Sequence, residues 1–267
     1  MTLLTEPTRI VLAKGWDLSG FDADAAAYIQ RVEWADTTPL EAATRTAINS
    51  FVVGCKADGI WPAIKASCIL AGARTLAGAL VPLVGAAPTN VGPFVADDYN
   101  RKTGLVGNGS SKYLNTNRSV SADPQNNAHI ATYATTKTTI NTATVIGTVS
   151  GRTRILTINA AADLIMNVAT AANTTIAGAN TPGTGFFGVA RSSAALTTAR
   201  FNNSNSTSTT ASQARGSVNH GVFYDPNLSD SYANGRLAFY SIGESLDLAL
   251  LDARVTALIN AFAAAIP

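Results

Sequence analysis

From Asp98 to Tyr240 the chain carries only five acidic residues, Asp98, Asp123, Asp163, Asp225 and Asp230, set far apart in a background of Thr, Asn, Ser, Ala and Gly. Charged residues make up 13% of the chain, against roughly 25% in an average soluble domain. Few carboxylates are left for acid–base catalysis or metal ligation. What remains is backbone hydrogen bonding, short hydroxyl and amide side chains, and aliphatic residues in alternation, the material of antiparallel sheets.

The alternation is broken into short runs. Ala128–Ala134, Thr142–Val149, Arg152–Asn159, Leu164–Val168, Gly185–Ala190, Thr197–Phe201, Gly221–Tyr224 and Arg236–Ile242 read as strands. Gly, Asn, Ser and Pro separate them at the intervals of a β-sandwich. Thr75–Val84 and Phe94–Val95 read as broken strand pieces. The tract Asn202–Ser212 is either disordered or an edge strand with a polar face.

Helical patterns flank this region. Arg9–Ala13 is a short strand candidate, followed by a helix opened by Asp22 and Asp24 with Ala25, Tyr28, Ile29 and Val32 on one face. Thr38-Pro-Leu-Glu41 has the form of a capping box with Pro at the first helical position. The stripe Leu40, Ala43, Ala47, Ile48, Phe51, Val52 and Cys55 follows it. A third helix is expected from Ile60 to about Leu70, holding Ile64 and Cys68. At the other end Ser245 or Asp247 caps a helix whose residues Leu248, Leu251, Val255, Leu258, Ile259 and Phe262 form an apolar face. The expected division is residues 1–74 as a strand plus helical leader and residues 75–267 as a sandwich ending in an amphipathic helix.

A length of 267 residues suffices for a self-supporting core, and a net charge of +2 is too small for a nucleic-acid or polybasic membrane binder. Cys55 and Cys68 read as buried, reduced thiols in helices. The start, Met1-Thr-Leu-Leu-Thr-Glu-Pro7, has no basic or apolar signal-peptide region, so synthesis in a cytoplasm without export is expected. The most apolar run, Cys68–Pro88, is interrupted by Arg74, Gly and Pro, so no membrane insertion is expected.

No catalytic set emerges. Gly104–Lys112 lacks the Lys-Ser/Thr order of a phosphate loop, and Asn108-Gly109 reads as a hairpin turn. His129 and His220 read as structural, and no Gly-x-Ser-x-Gly elbow supports a serine triad. Asp97 and Asp98 would face opposite sides of a strand. Asp225 and Asp230 are the weak metal candidates, in a loop whose Asp, Pro and Asn are read first as a turn. No cofactor is expected. Aromatic residues beside amides leave one binding chemistry, glycan contact, with Tyr113, Tyr224, Asp225, Asn227 and Tyr232 as candidates.

Three stretches carry a resemblance. Asp98–Asn115, Gly185–Ser193 and Gly235–Asp247 are similar to early and late strands of concanavalin A-like/laminin G-like jelly rolls in tail-fibre-like structural proteins of phages and prophages. The similarity runs from about residue 75 to the end. It implies a mainly β, two-sheet antiparallel jelly roll with an N-terminal helical segment and a C-terminal helix. It further implies a non-enzymatic virion component, foremost of the tail fibre or receptor-binding region. Homo-oligomers, trimers first, other virion proteins and host surface glycan would be the partners. A capsid decoration or head-fibre protein is the alternative, and a glycan depolymerase the alternative of another class. Laminin G-like domains often hold a rim calcium, but no acidic ligand pair here matches that pattern.

Overall fold

The acid-poor region forms two facing antiparallel sheets, and the helices form a third layer on the larger one. The computed structural model describes residues 18–158, 161–179 and 183–267; the expected strand Arg9–Ala13 lies outside them. In chain order the elements begin with α1 (Ala23–Asp36), α2 (Ala42–Ala57), β1 (Ile64–Ile69), α3 (Leu76–Ala79), β2 (Pro82–Val84), β3 (Thr89–Val91), β4 (Tyr99–Asn100) and β5 (Gly104–Val106). Then come β6 (Tyr113–Ser119), β7 (Ala128–Thr136), β8 (Thr142–Thr148), β9 (Thr153–Ile158), β10 (Asp163–Asn167) and β11 (Thr174–Ile176). The chain continues with β12 (Gly185–Arg191), β13 (Thr197–Phe201), β14 (Ser204–Ser208), β15 (Asn219–Val222), β16 (Arg236–Gly243) and α4 (Leu248–Ala265).

Among the described residues the larger sheet has 9 strands, ordered β14-β13-β12-β7-β16-β1-β2 with β5 and β4 joined at β16, and the smaller has 7, ordered β11-β10-β9-β8-β15-β6-β3. Strand alternation sends Ile130, Val189 and Tyr240 of the larger sheet towards Ile155, Leu164, Met166 and Val222 of the smaller, forming the inter-sheet core. The other face of the larger sheet presents Ile69, Ala131, Phe186 and Phe239 to the helices, where Ile29, Ile48, Phe51, Val255, Leu258 and Phe262 cover it. Phe51 meets Phe239 edge-on with ring centroids 5.8 Å apart. Helix α4 is apolar enough to cross a membrane by length and composition, yet Leu251, Val255, Leu258 and Phe262 bury that character in this layer.

The helical layer explains where local pattern misleads. The segment from Ile64 to Ile69 is a strand, not the expected third helix; only a 3-10 turn, Trp61–Ala63, precedes it. It pairs antiparallel with β16, Ser67 opposite Ser241 and Cys68 opposite Tyr240. Both its faces are covered, so every position but Lys65 is buried; Ile64, Ala66 and Cys68 alternate with Lys65 and Ser67, but Ile64 and Cys68 also stand four apart, which is equally a helical spacing. Residues on either side of position 74 thus share one sheet.

The capping box at Thr38 does not form. Helix α2 starts after Glu41, without a side-chain cap. The Glu41 carboxylate is taken by Arg101, 2.7 Å away, and Arg74, 3.2 Å away, while the Leu40 N–H donates to Glu33 at 2.8 Å. Within Thr75–Val84 only Pro82–Val84 is strand, because Leu76–Ala79 turns as a short helix capped by Thr75. Asp97 and Asp98 lie in a 3-10 turn rather than a strand, Asp98 accepting from the Val95 N–H at 2.7 Å. The Asn108-Gly109 turn is present, Asn108 Oδ1 accepting from the N–H groups of Ser110, Ser111 and Lys112. It is not a hairpin, since β5 pairs with β16 and β6 with β15 of the other sheet. Asn202–Ser212 resolves as the edge-strand alternative, with β14 paired to β13, its Ser, Thr and Asn leaving a polar rim. Asp247, not Ser245, caps α4 by accepting from the Ala249 N–H at 2.7 Å.

Candidate functional site

The candidate glycan residues converge on the outer face of the smaller sheet. On β6, Leu114 and Thr116 are buried, so Tyr113 and Asn115 face out. On β15, Val222 points into the core and Gly221 faces out, opposite Asn115. The chain then folds back through Tyr224–Tyr232. An ordinary side chain at Gly221 would collide with the Tyr224 carbonyl and come within 3.2 Å of Pro226 Cδ. The glycine therefore lets this loop lie close over the sheet.

Tyr113, Tyr224 and Tyr232, far apart in sequence, form one cluster. Tyr224 and Tyr232 stack with centroids 3.9 Å apart and 11° between planes. Tyr113 packs at 5.0 Å from Tyr224 and 6.4 Å from Tyr232. All three are half-buried. Partial burial, followed by the neighbouring Tyr232, raises the Tyr224 phenol above its ordinary range, so Tyr224 stays neutral near pH 7, and the cluster presents ring surface and hydroxyls. Beside it lies a cleft of about 220 Å³ lined by Tyr113, Asn115, Asn219, Pro226 and Asn227. Aromatic surface with a few convergent amides is the make-up of a small-ligand site.

Asp225 belongs to this site in a different role from the expected one. It is fully buried. Its Oδ2 accepts from the Val149 N–H at 2.5 Å and its Oδ1 from the Asn227 N–H at 2.9 Å. Its own N–H donates to Ser231 Oγ at 3.2 Å. Asp225 is thus the buried organiser of the tyrosine loop and does not face a ligand. The same commitments remove it as a calcium ligand; Asp230 is exposed, with φ +61°. Among the described residues no three His, Cys, Asp or Glu side chains gather as a metal site. Asn227 is exposed and anchored, its amide donating to Thr148 Oγ1 at 2.8 Å.

The histidines are buried. His129 contacts Ser241 Oγ at 2.8 Å and the Glu244 carbonyl at 2.5 Å. Burial pushes its pKa down to about 4. His220 goes down to about 3, through burial first and then the charges of Arg215 and Arg118. Both are neutral near pH 7. Tyr99, another tyrosine near Asn residues, donates its hydroxyl to the Ala73 carbonyl at 2.7 Å and stands apart from the cluster.

The sequence reading missed Arg154. Its neighbour Ile155 is buried in the inter-sheet core, so Arg154 sits on the outer face of β9. One in-register row crosses that face: Asn167 pairs with Arg154, Arg154 with Gly147, Gly147 with Gly221, and Gly221 with Asn115. Outward placement by alternation was the available signal; the row itself depends on strand order.

No protein-family model matches the chain, and no curated protein matches it in sequence. Among solved structures it is similar to the botulinum neurotoxin serotype D binding domain, at 11% identity and a TM-score of 0.45, covering 73% of this chain and 51% of that one. The receptor-binding domain of the botulinum neurotoxin C/D mosaic serotype gives 10% identity and a TM-score of 0.48, with 73% and 51% covered. The NanB sialidase of Streptococcus pneumoniae gives 10% identity and a TM-score of 0.38, with 53% and 27% covered. The chain spans about half the length of the neurotoxin structures it matches. These likenesses assign no function.

Proposed function

We propose that this protein is a non-enzymatic, glycan-contacting structural component of a tailed-phage virion, foremost of its tail fibre or receptor-binding region. The observation that carries the glycan part is the convergence of Tyr113, Tyr224 and Tyr232 beside an amide-lined cleft, on a loop held from beneath by buried Asp225. Rings supply flat apolar area, and the Asn amides and Tyr hydroxyls supply directional partners for sugar hydroxyls. The virion part rests on the resemblance of the strand sequences. Symmetric copies, trimers first, suit the mainly apolar groove of about 690 Å³ between α2 and α4, where Ala43, Ser50, Ala257 and Ala261 leave room for a neighbour and Arg254 is its charged lining residue.

The acids of the sandwich favour this reading over the depolymerase one. Asp98 pairs with Lys112, Asp123 with Arg118, Asp163 accepts from the Gly178 N–H, and Asp225 is buried, which leaves Asp97 and Asp230 as exposed carboxylates on separate turns. A glycosidase needs two carboxyl groups flanking a groove. The test is a host-envelope glycan array with the wild type, Tyr232→Ala and Tyr113→Ala. Binding by the wild type with loss in both variants is expected; a flat array for the wild type removes glycan contact. Sugar release from host polysaccharide would establish the depolymerase reading instead. Cryo-EM of intact particles decides between tail and head-fibre or decoration positions, and mass measurement tests the trimer.

A further inference from the structure

We propose that the outer face of the smaller sheet selects an acidic glycan, whose carboxylate or sulfate sits on Arg154 while a neighbouring sugar occupies the tyrosine cleft. This rests on the glycan reading above and adds the ligand's charge.

Arg154 lines a second cleft, of about 280 Å³, with Ser150, Arg152, Asn167 and Thr170. Its Nε is sealed from water and has no hydrogen-bond acceptor in the protein. Nearly every guanidinium so placed is paired, because desolvating an ionised group without a partner is expensive. Arg200 has Asp252, Arg118 has Asp123, and Arg101 has Glu41; Arg191 and Arg215 also keep unpaired nitrogens, but their guanidinia donate elsewhere to backbone carbonyls. The carboxylate felt by Arg154 is Asp225, but the Asp225 oxygens accept from backbone N–H groups. Burial lowers the Arg154 pKa, only partly opposed by Asp225. Arg152 is tethered, its Nη1 donating to Gln213 Oε1 at 2.5 Å. The other lining side chains named are hydroxyls and an amide, suited to sugar hydroxyls rather than to a competing cation.

The two clefts belong to one surface. From Arg154 the paired row runs through Gly147 and Gly221 to Asn115, three strand spacings, or about 14 Å. Both intervening residues are buried glycines, and the Tyr224–Pro226 backbone lies over Gly221. A short oligosaccharide that reaches both the aromatic cleft and the guanidinium therefore crosses the exposed tip of the turn at Pro226 and Asn227. The outer Nη edge of the guanidinium, where the side chain lines the cleft, is matched to a carboxylate or sulfate.

The test is calorimetric titration with a short galacturonic-acid oligosaccharide and with its carboxyl-reduced, neutral counterpart. The wild type should bind the acidic form at least about ten-fold tighter, as one charge-assisted pair predicts. Arg154→Gln should erase that preference. Arg154→Lys, which keeps the charge on a flexible stem, should retain part of it. Tyr232→Ala should weaken both ligands alike. Equal wild-type affinity for the two ligands, or a preference that survives Arg154→Gln, overturns the charge assignment while leaving glycan binding intact. Binding of neither ligand counts against both readings. Displacement of the acidic oligosaccharide by equimolar inorganic sulfate would mark a simple anion site and overturn the glycan assignment.

Discussion

Arg200 Nε on β13 donates to Asp252 Oδ2 on α4 at 2.8 Å, in a pair almost wholly removed from water. The same aspartate accepts from Thr256 Oγ1 at 3.1 Å, and Arg200 Nη1 also reaches Asn205 Oδ1 on β14 at 2.8 Å. One buried ion pair therefore joins the C-terminal helix to the edge half of the larger sheet. Removing one partner strands the other charge. Asp252→Ala should lower stability by about 3–5 kcal/mol, read from the urea midpoint, and the double change Asp252→Leu/Arg200→Met should recover most of it. A loss below about 1 kcal/mol in the single variant would mean that water reaches the pair.

Asp225 gives a second prediction, because it acts on the binding face from below. Asp225→Ala leaves the Val149 and Asn227 N–H groups without their acceptor. Each such loss costs about 1–3 kcal/mol. The variant should melt earlier and bind glycan more weakly, although residue 225 is fully buried. Asp225→Asn keeps one acceptor oxygen and should fall between. Unchanged glycan affinity in a destabilised Asp225→Ala would separate the loop from binding.

Acid should weaken the fold through its histidines. His129 and His220 are held down to about 4 and about 3 in the folded chain, whereas an unfolded histidine titrates near 6.5. Between those values the unfolded chain binds more protons, so stability rises with pH. The contribution is complete above about pH 6.5 and is lost as pH falls towards 4, at up to about 1.4 kcal/mol per pH unit for each histidine. Urea midpoints at about pH 7, 5.5 and 4.5 read the slope, and His220→Leu should flatten it. Identical midpoints in the wild type would mean that both rings take protons within the fold.

The cysteines offer a probe of opening. Cys55 and Cys68 are free and buried, and burial pushes both thiols up to about 12. Tyr240 Oη also donates to Cys68 Sγ at 3.3 Å. Neither should react with a thiol reagent at about pH 8 until the chain unfolds. Cys68, between β16 and β2, should label only on global unfolding, so rapid labelling there would show that the larger sheet opens locally.

Much of this architecture is legible in the residues. Strands β7, β8, β12, β13 and β16 lie where β-type runs bounded by Gly and Asn place them, and α4 follows its three- and four-residue apolar steps. Strand β1 was hidden because its alternation of Ile64, Ala66 and Cys68 with Lys65 and Ser67 is short and rests on small residues, while Ile64 and Cys68 also fit a helical step of four. At the site, Tyr113, Tyr224 and Tyr232 could be named from their chemistry beside Asn, but their convergence depends on Gly221 admitting the loop. Asp225 looked like a ligand because a carboxylate in an Asp-Pro-Asn turn reads the same whether it faces water or backbone. Arg154 was one cation among several until strand order set it in line with two glycines.

Strand β16 also bears on how the molecule can be made. It is the final strand of the chain order, yet it stands between β7 and β1. Ser67 donates to the Tyr240 carbonyl across 173 residues of chain. During synthesis the larger sheet therefore waits in three unjoined parts, with the edges of β7, β1 and β5 open, until the polypeptide has emerged almost to α4. Closure is a late, long-range event of the sort that slows folding and exposes sticky edges. A nascent chain stalled before Arg236 would present the vacant edges of β7, β1 and β5 and recruit whatever β-ribbon lies nearest, a neighbouring nascent copy included.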